Sequence, residues 1–355
     1  MRTHYYLGAN TPGGFYSLYH KYLREDDMLY IIKGSPGSGK STFMKKLAEE
    51  MEAEGFETEL IHCSGDPDSL DGVYFPELNT AYADGTAPHV LEPAYAGVRE
   101  TYLNLAEGLD TRGLWEDREG IYEFSEKYKG EYKKAYNAFA AAKSVRDGIL
   151  DGLIDDSVKA QVVKKAAALA KREFKKFSGE PSVKERFTDA ITCRGWIHRY
   201  DTIDTLAEEI YLVESSFGLN WLFAETVTKK AIENNWNVII CRDALYPEHI
   251  SHVIVPQAGI AVVSRYGSQF PDWNAKSVRL DSIPGKSGLK ASREFINRRN
   301  GMYNELIAEG QSHLAKAKEY HDRLEEVYRP HVDFTTANEL AVRHLDMLRA
   351  RARDL

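Results

Sequence analysis

Short apolar runs and helical stripes take turns along the first part of the chain. Residues 4–7 read as a strand, and Thr11-Pro12-Gly13-Gly14 as a turn. From Phe15 the apolar positions Phe15, Leu18, Tyr19, Tyr22 and Leu23 have helical spacing. The run MLYIIK at 28–33 leads into a glycine cluster, as a buried strand would. Over 41–54, Phe43, Met44, Leu47, Ala48 and Met51 share one helical face, and Gly55 stops the helix. Residues 58–63, 80–83 and 102–105 are further strand candidates. This alternation predicts an α/β fold with a largely parallel sheet.

Beyond residue 120 the period changes. Ile121, Phe124, Tyr128, Tyr132, Ala135, Phe139 and Ala142 step by three and four, and a second helix is predicted over 157–176. Together they read as an antiparallel helical hairpin, followed by a linker at 178–182. The second half repeats this order. An α/β stretch over 187–282 precedes a helical one with Phe295, Met302, Leu306, Ala317, Leu324 and Tyr328 at helical spacing. A shift of about 180 residues aligns Pro67 with Pro247, Val73 with Val253, Pro76 with Pro256 and Ala81 with Ala261. The expected organisation is an internal duplication into units 1–180 and 183–355. Each is an α/β core followed by a helical hairpin.

The chemistry concentrates after the 28–33 strand. Gly34-Ser35-Pro36-Gly37-Ser38-Gly39-Lys40-Ser41 fits the P-loop pattern G-x-x-x-x-G-K-[ST], and it lies between an apolar strand and an amphipathic helix. Glycines let successive N–H groups turn inward as an anion nest. The following helix directs its positive end at the same point. Lys40 then reaches the β- and γ-phosphates, Ser41 offers its hydroxyl to Mg²⁺, and Thr42 joins the nucleotide-binding set.

The acids are more ambiguous. Asp84 ends the 80–83 strand, where a Walker B aspartate would hold Mg²⁺; a turn with Gly85 is the plain alternative. No Glu follows Asp84, so the water-activating glutamate of strong ATPases is missing there. Asp66, Asp68 and Asp71 follow the 58–63 strand. In a small-molecule kinase an acid at that place orients or deprotonates the acceptor hydroxyl. Asp66-Pro67 and Ser69 are equally suited to a turn and a helix cap. His89 is a candidate phosphate or substrate contact, or an ordinary loop histidine.

At the same shift the glycine-rich loop falls on Glu214-Ser215-Ser216-Phe217-Gly218-Leu219-Asn220-Trp221. Lys40 meets Asn220, Ser41 meets Trp221, Asp84 meets Ser264, Asp66 meets Tyr246 and His89 meets Gln269. Core positions persist while the chemical ones differ, so the second copy is expected to keep the fold without the phosphate loop. Its expected role is a scaffold, substrate platform or regulatory surface. Arg242 or Arg265 is the candidate for a basic residue reaching the first site. Pro284-Gly285-Lys286-Ser287 is a decoy, because Leu280 stands where the earlier glycine should be.

Composition narrows the partners. A net charge of −8 disfavours general binding to nucleic acid or anionic membrane. The basic stretch with Lys159, Lys164, Lys165, Lys171, Arg172, Lys175 and Lys176 reads as a solvated helix face. Cys63, Cys193 and Cys241 are few and widely spaced, so neither a disulfide framework nor a zinc site is suggested. There is no signal-peptide core and no membrane-length apolar run, so a cytoplasmic protein is expected.

The segments IIKGSPGSGKS (31–41), HCSGDPDSLDGVYFPEL (62–78) and ADGTAPH (83–89) resemble a bacterial family of tandem P-loop ATPase-like, nucleotide-kinase-like proteins. The resemblance spans nearly the whole chain. It implies two fused P-loop cores with helical insertions, and ATP as the ligand. Members commonly carry two intact P-loops, from which this sequence departs at 214–221. The expectation is one ATP with Mg²⁺ per chain, hydrolysed by the protein. A kinase acting on a small-molecule or nucleotide acceptor, and a non-hydrolysing nucleotide-gated switch, are the alternatives.

Overall fold

The predicted alternation becomes two six-stranded mixed sheets in a computed structural model of the chain. The model describes residues 1–88, 90–150, 154–216, 218–265, 270–283 and 286–354, without the side chains of 149–150 and 286–293. The first half runs β1 (Arg2–Tyr5), β2 (Gly8–Thr11), β3 (Gly14–Ser17), β4 (Met28–Lys33), α1 (Lys40–Ala53), β5 (Thr58–His62), β6 (Leu70–Phe75), β7 (Thr80–Asp84), β8 (Glu100–Asn104), α2 (Thr111–Glu116), α3 (Arg118–Leu150) and α4 (Asp156–Glu173). Its sheet has the order β1-β5-β6-β7-β4-β8. Strand β6 is antiparallel to both neighbours, and every other pairing is parallel.

The second half runs β9 (Val183–Arg186), β10 (Asp189–Thr192), β11 (Gly195–His198), α5 (Tyr200–Leu206), β12 (Glu209–Glu214), α6 (Asn220–Glu233), β13 (Val238–Arg242), β14 (Ile250–Val255), β15 (Ile260–Ser264), β16 (Lys276–Arg279), α7 (Lys286–Tyr328) and α8 (Thr335–Arg353). The order β9-β13-β14-β15-β12-β16 repeats the first sheet strand for strand, with β14 as the antiparallel member.

Two sequence expectations fail here. Residues 15–23 are not a helix: β2 and β3 form a hairpin, followed by a 3₁₀ turn at Tyr19–Lys21. Gly14, at φ 103°, makes the tight turn. Pairing of Asn10 with Phe15 then uses the backbone groups a helix would need. The apolar stripe is still buried through Leu18, Tyr19 and Tyr22.

The helical hairpins are the second failure. Helix α3 pairs with α7, not with α4. The two run antiparallel, with Tyr128 on His321, Phe139 on Gly310 and Arg146 over Tyr303. A Cβ on Gly310 would lie 2.2 Å from the Phe139 ring, so the glycine is what lets the helices approach. Helix α4 then packs on α6 of the second sheet through Val158, Val162, Ala166, Leu169 and Ala170. Reciprocally, α8 packs on α1 through Ala341, Leu345 and Leu348. Each expected unit, 1–180 and 183–355, therefore holds one sheet and lends its last helix to the other.

The remaining faces of the two sheets share one core, with Leu18, Tyr74 and Ala81 meeting Phe187, Ile254 and Ala261. Tyr6 and Phe187 exchange backbone hydrogen bonds of 2.8 and 2.9 Å at equivalent positions of the two copies. Arg186 is fully buried there and donates to Glu59 at 2.9 Å, while Lys184 takes the other oxygen. Burial opposes the charge of Glu59, but the two cations outweigh it and hold its pKa at about 2. Among the described residues no helix is long and apolar enough to cross a membrane.

Glu59→Gln should cost about 3–5 kcal/mol at neutral pH, because it strands a buried guanidinium. A carboxylate with a depressed folded pKa stabilises above its unfolded value and loses that contribution as pH falls. The parent should therefore lose stability from pH 4.5 down through about 2. Urea unfolding from neutral pH down to about 2 measures both effects; a variant with the parent's midpoint at neutral pH contradicts the assignment.

Candidate functional site

Strand β4 lies between β7 and β8, so the chain leaves the sheet at Lys33 with a neighbour on each side. Register pairs Ile32 with Asp84. The strand ending in Asp84 is thus directly beside the one that feeds the loop. The loop turns through two left-handed glycines, Gly37 at φ 69° and Gly39 at φ 86°. Gly39 is also the N-cap of α1, and no side chain caps that helix. Its first N–H groups are therefore directed at the loop's concave side. The Ser35 and Ser38 hydroxyls are buried without a partner among the described residues.

Lys40 starts α1 and folds back over the loop. Its Nζ donates to the Gly34 and Ser35 carbonyls at 3.2 and 2.9 Å and lies 3.7 Å from Asp84. Asp84 also accepts from the Thr86 N–H and hydroxyl at 2.8 and 2.6 Å, so it makes a turn as well as facing Lys40. Ser41 Oγ accepts from the Leu70 N–H at 2.9 Å, which ties α1 to β6.

These groups open onto a cleft of about 760 Å³, lined also by Thr42, Lys45, Cys63, Asp66 and Asp71. Asp66 accepts from the Ser69 hydroxyl at 2.9 Å and lies 3.5 Å from Lys318. Asp68 turns away from the cleft. Its carboxylate pairs with Arg194 in the β10–β11 turn, and the residue is not among those lining the cleft. Asp71 is buried beside Cys63, and burial followed by this carboxylate pushes the thiol pKa well up. His89 lies outside the described residues, as do Pro284 and Gly285 of the decoy.

The opposite wall comes from residues that no sequence motif marks. It is built by Tyr128 and Tyr132 of α3 and by Lys318, His321, Glu325, Arg329 and Phe334 from the second half. Glu325 packs against Gly37, with its Cβ and backbone 3.4 to 3.6 Å from where a Gly37 Cβ would stand. The Phe334 ring is 3.6 Å from the corresponding point at Gly39. A signal existed: positions 318, 321, 325 and 329 step by three and four, so they mark one polar helical face. Burial works against the charge of Lys318, but Asp322 and Asp66 raise its pKa. Burial lowers that of His321, against the pull of Glu325 at 3.7 Å. Arg242 and Arg265 do not line the cleft; they pair with Glu185 and Glu214 at 2.7 and 2.8 Å.

The second copy closes the same place in its own way. Glu214 ends β12 as Lys33 ends β4, so it matches Lys33, one position earlier than the sequence shift implies. The loop is then one residue shorter, since α6 starts at Asn220 where α1 starts at Lys40. Gly218 keeps a φ of 69°, but Leu219, at φ −84°, replaces the left-handed cap. Asp281 fills the loop, accepting from the Ser216 N–H and hydroxyl at 2.7 and 2.6 Å. Two residues beyond the edge-strand position paired with the loop strand, the first copy has Ala106 where the second has Asp281. Trp221 stacks on His249 with ring centroids 4.4 Å apart, and His249 stacks on Tyr246. Arg146 of α3 lies over Gly218, as Glu325 of α7 lies over Gly37.

Comparison of the chain with protein-family models, with curated proteins and with solved structures finds no match in any of the three.

Gly39→Ala should cost about 1–2 kcal/mol, because it forces a side chain into a left-handed conformation against the Phe334 ring. Urea unfolding measures it, and equal midpoints for variant and parent contradict this account of the loop.

Proposed function

We propose that the protein binds one nucleoside triphosphate, ATP, with Mg²⁺ in this cleft and hydrolyses it. The observation that carries the reading is the contrast between the two loops. The first presents a helix N-terminus with no side-chain cap, two left-handed glycines and a buried Ser38 hydroxyl that has no partner among the described residues. The second satisfies its loop internally with Asp281. An anion nest at a helix N-terminus is suited to phosphate.

In this reading the N–H groups of 37–41 cradle the β-phosphate, and Lys40 leaves its loop carbonyls for the β- and γ-oxygens. The hydroxyl of Ser41 and the carboxylate of Asp84 are hard oxygen donors of the kind Mg²⁺ takes. Bound Mg²⁺ neutralises charge on the phosphate oxygens. Lys318 and Arg329 add positive charge from the opposite wall. A kinase is the second reading, and Asp66 favours it. That carboxylate faces the same cleft, held by Ser69 and Lys318, where an acceptor hydroxyl would stand. Release of phosphate without an acceptor separates hydrolysis from transfer of label onto a metabolite.

Lys40→Ala should abolish the ATP-dependent rise in melting temperature, whereas Asn220→Ala should keep it. An unchanged rise in the Lys40 variant overturns the proposed site. A loss as large in the Asn220 variant overturns the inert second loop.

A further inference from the structure

We infer that Glu325, from the second half of the chain, is the carboxylate that takes the proton of the attacking water. The inference rests on the ATP-hydrolysis reading and names a residue for it. Hydrolysis of this kind calls for a group that orients and deprotonates water beside the terminal phosphate. The position after Asp84 cannot supply it. Gly85 stands there, and a Cβ on it would lie 2.3 Å from the Ile31 side chain and 3.4 Å from Lys33 Nζ. The carboxylate must enter from another element.

Among the described residues four carboxylates line the cleft: Asp66, Asp71, Asp84 and Glu325. Asp84 is engaged by Thr86 and Lys40. Asp66 is engaged by Ser69 and Lys318. Asp71 is buried in β6 beside the Cys63 thiol. Glu325 has the most exposed side chain of the four, and among the described residues its ion partner is His321 at 3.7 Å. Its Cβ and backbone pack against Gly37 of the loop, and the residue lines the cleft. Lys318 of α7 and Arg329, in the turn that follows it, line the same wall and offset the repulsion between a carboxylate and phosphate oxygens. The segment is held in place from the first half. Asp117 binds His331 at 2.8 Å, and Gly108 accepts the Asp333 N–H at 2.7 Å.

The step is a hydrolysis. A water oxygen forms a bond to the γ-phosphorus and its proton passes to Glu325. The bond from the γ-phosphorus to the β–γ bridging oxygen breaks. ADP leaves with that electron pair, facing Lys40, and inorganic phosphate departs. The proton then returns to solvent from the carboxylate. Turnover on this route requires α7 to lie on the loop, so the second half controls it.

The test uses the full chain, with Glu325→Gln and Glu325→Asp. Phosphate release from Mg-ATP should fall by about a hundredfold or more in Glu325→Gln and less in Glu325→Asp. Affinity for ADP and for a non-hydrolysable ATP analogue should stay within about twofold. After desalting, the Gln variant should retain intact ATP where the parent retains ADP. Parent-like turnover in Glu325→Gln overturns the inference. So does loss of analogue affinity together with turnover, or a parent that binds ATP without turnover. A parent that binds no nucleotide overturns the ATP reading itself, which Lys40→Ala reports separately.

Discussion

The antiparallel packing of α3 on α7 is the contact on which the rest of the arrangement depends. It carries each half's long helix across to the other half's glycine loop. Glu325 lands on Gly37 and Arg146 on Gly218. The same crossing delivers α4 to α6 and α8 to α1. Without the exchange, the outer face of α1 would lose Ala341, Leu345 and Leu348, and the apolar cluster around it would be open to water. Neither half closes its own core. The closeness of α3 and α7 rests on Gly310, where any side chain would meet the Phe139 ring.

On this near-symmetric frame the two loops have taken opposite courses. Strand order, the antiparallel member and the reciprocal Tyr6–Phe187 pairing are common to both copies. The difference is local charge and volume. In the second copy a carboxylate enters the loop and a three-ring stack fills the ground in front of it. In the first, Ala106 leaves that approach clear, and the cleft is walled by the partner half's polar helix face. One copy has its loop occupied by its own side chains. The other is an open pocket with cations on both sides.

Much of this was legible because it is local. The strand before the glycine cluster, the helix after it and the apolar face of α1 follow from periodicity, and all are present. The repeat at about 180 residues is matched by the repeated sheet. Asp84 is where the short strand placed it. Pairing between distant elements was not legible. The stripe on α3 is as suited to α7 as to α4, and periodicity carries no partner information. Strand β6 escaped notice because Asp71 and Gly72 break its apolar run, although every residue in it is buried. Asp68 looked equivalent to Asp66 in sequence; only its pairing with Arg194 separates them. The one-residue offset at Glu214 hid in a gap-free shift, because a single deletion inside a loop leaves both flanking periodicities intact.

The proposed phosphate site is one per chain, in the first half and closed by the second. Calorimetric titration of the full chain with a non-hydrolysable ATP analogue and Mg²⁺ tests it most directly. A single class of sites at one nucleotide per chain is expected. Two nucleotides per chain, or no heat of binding, would contradict it.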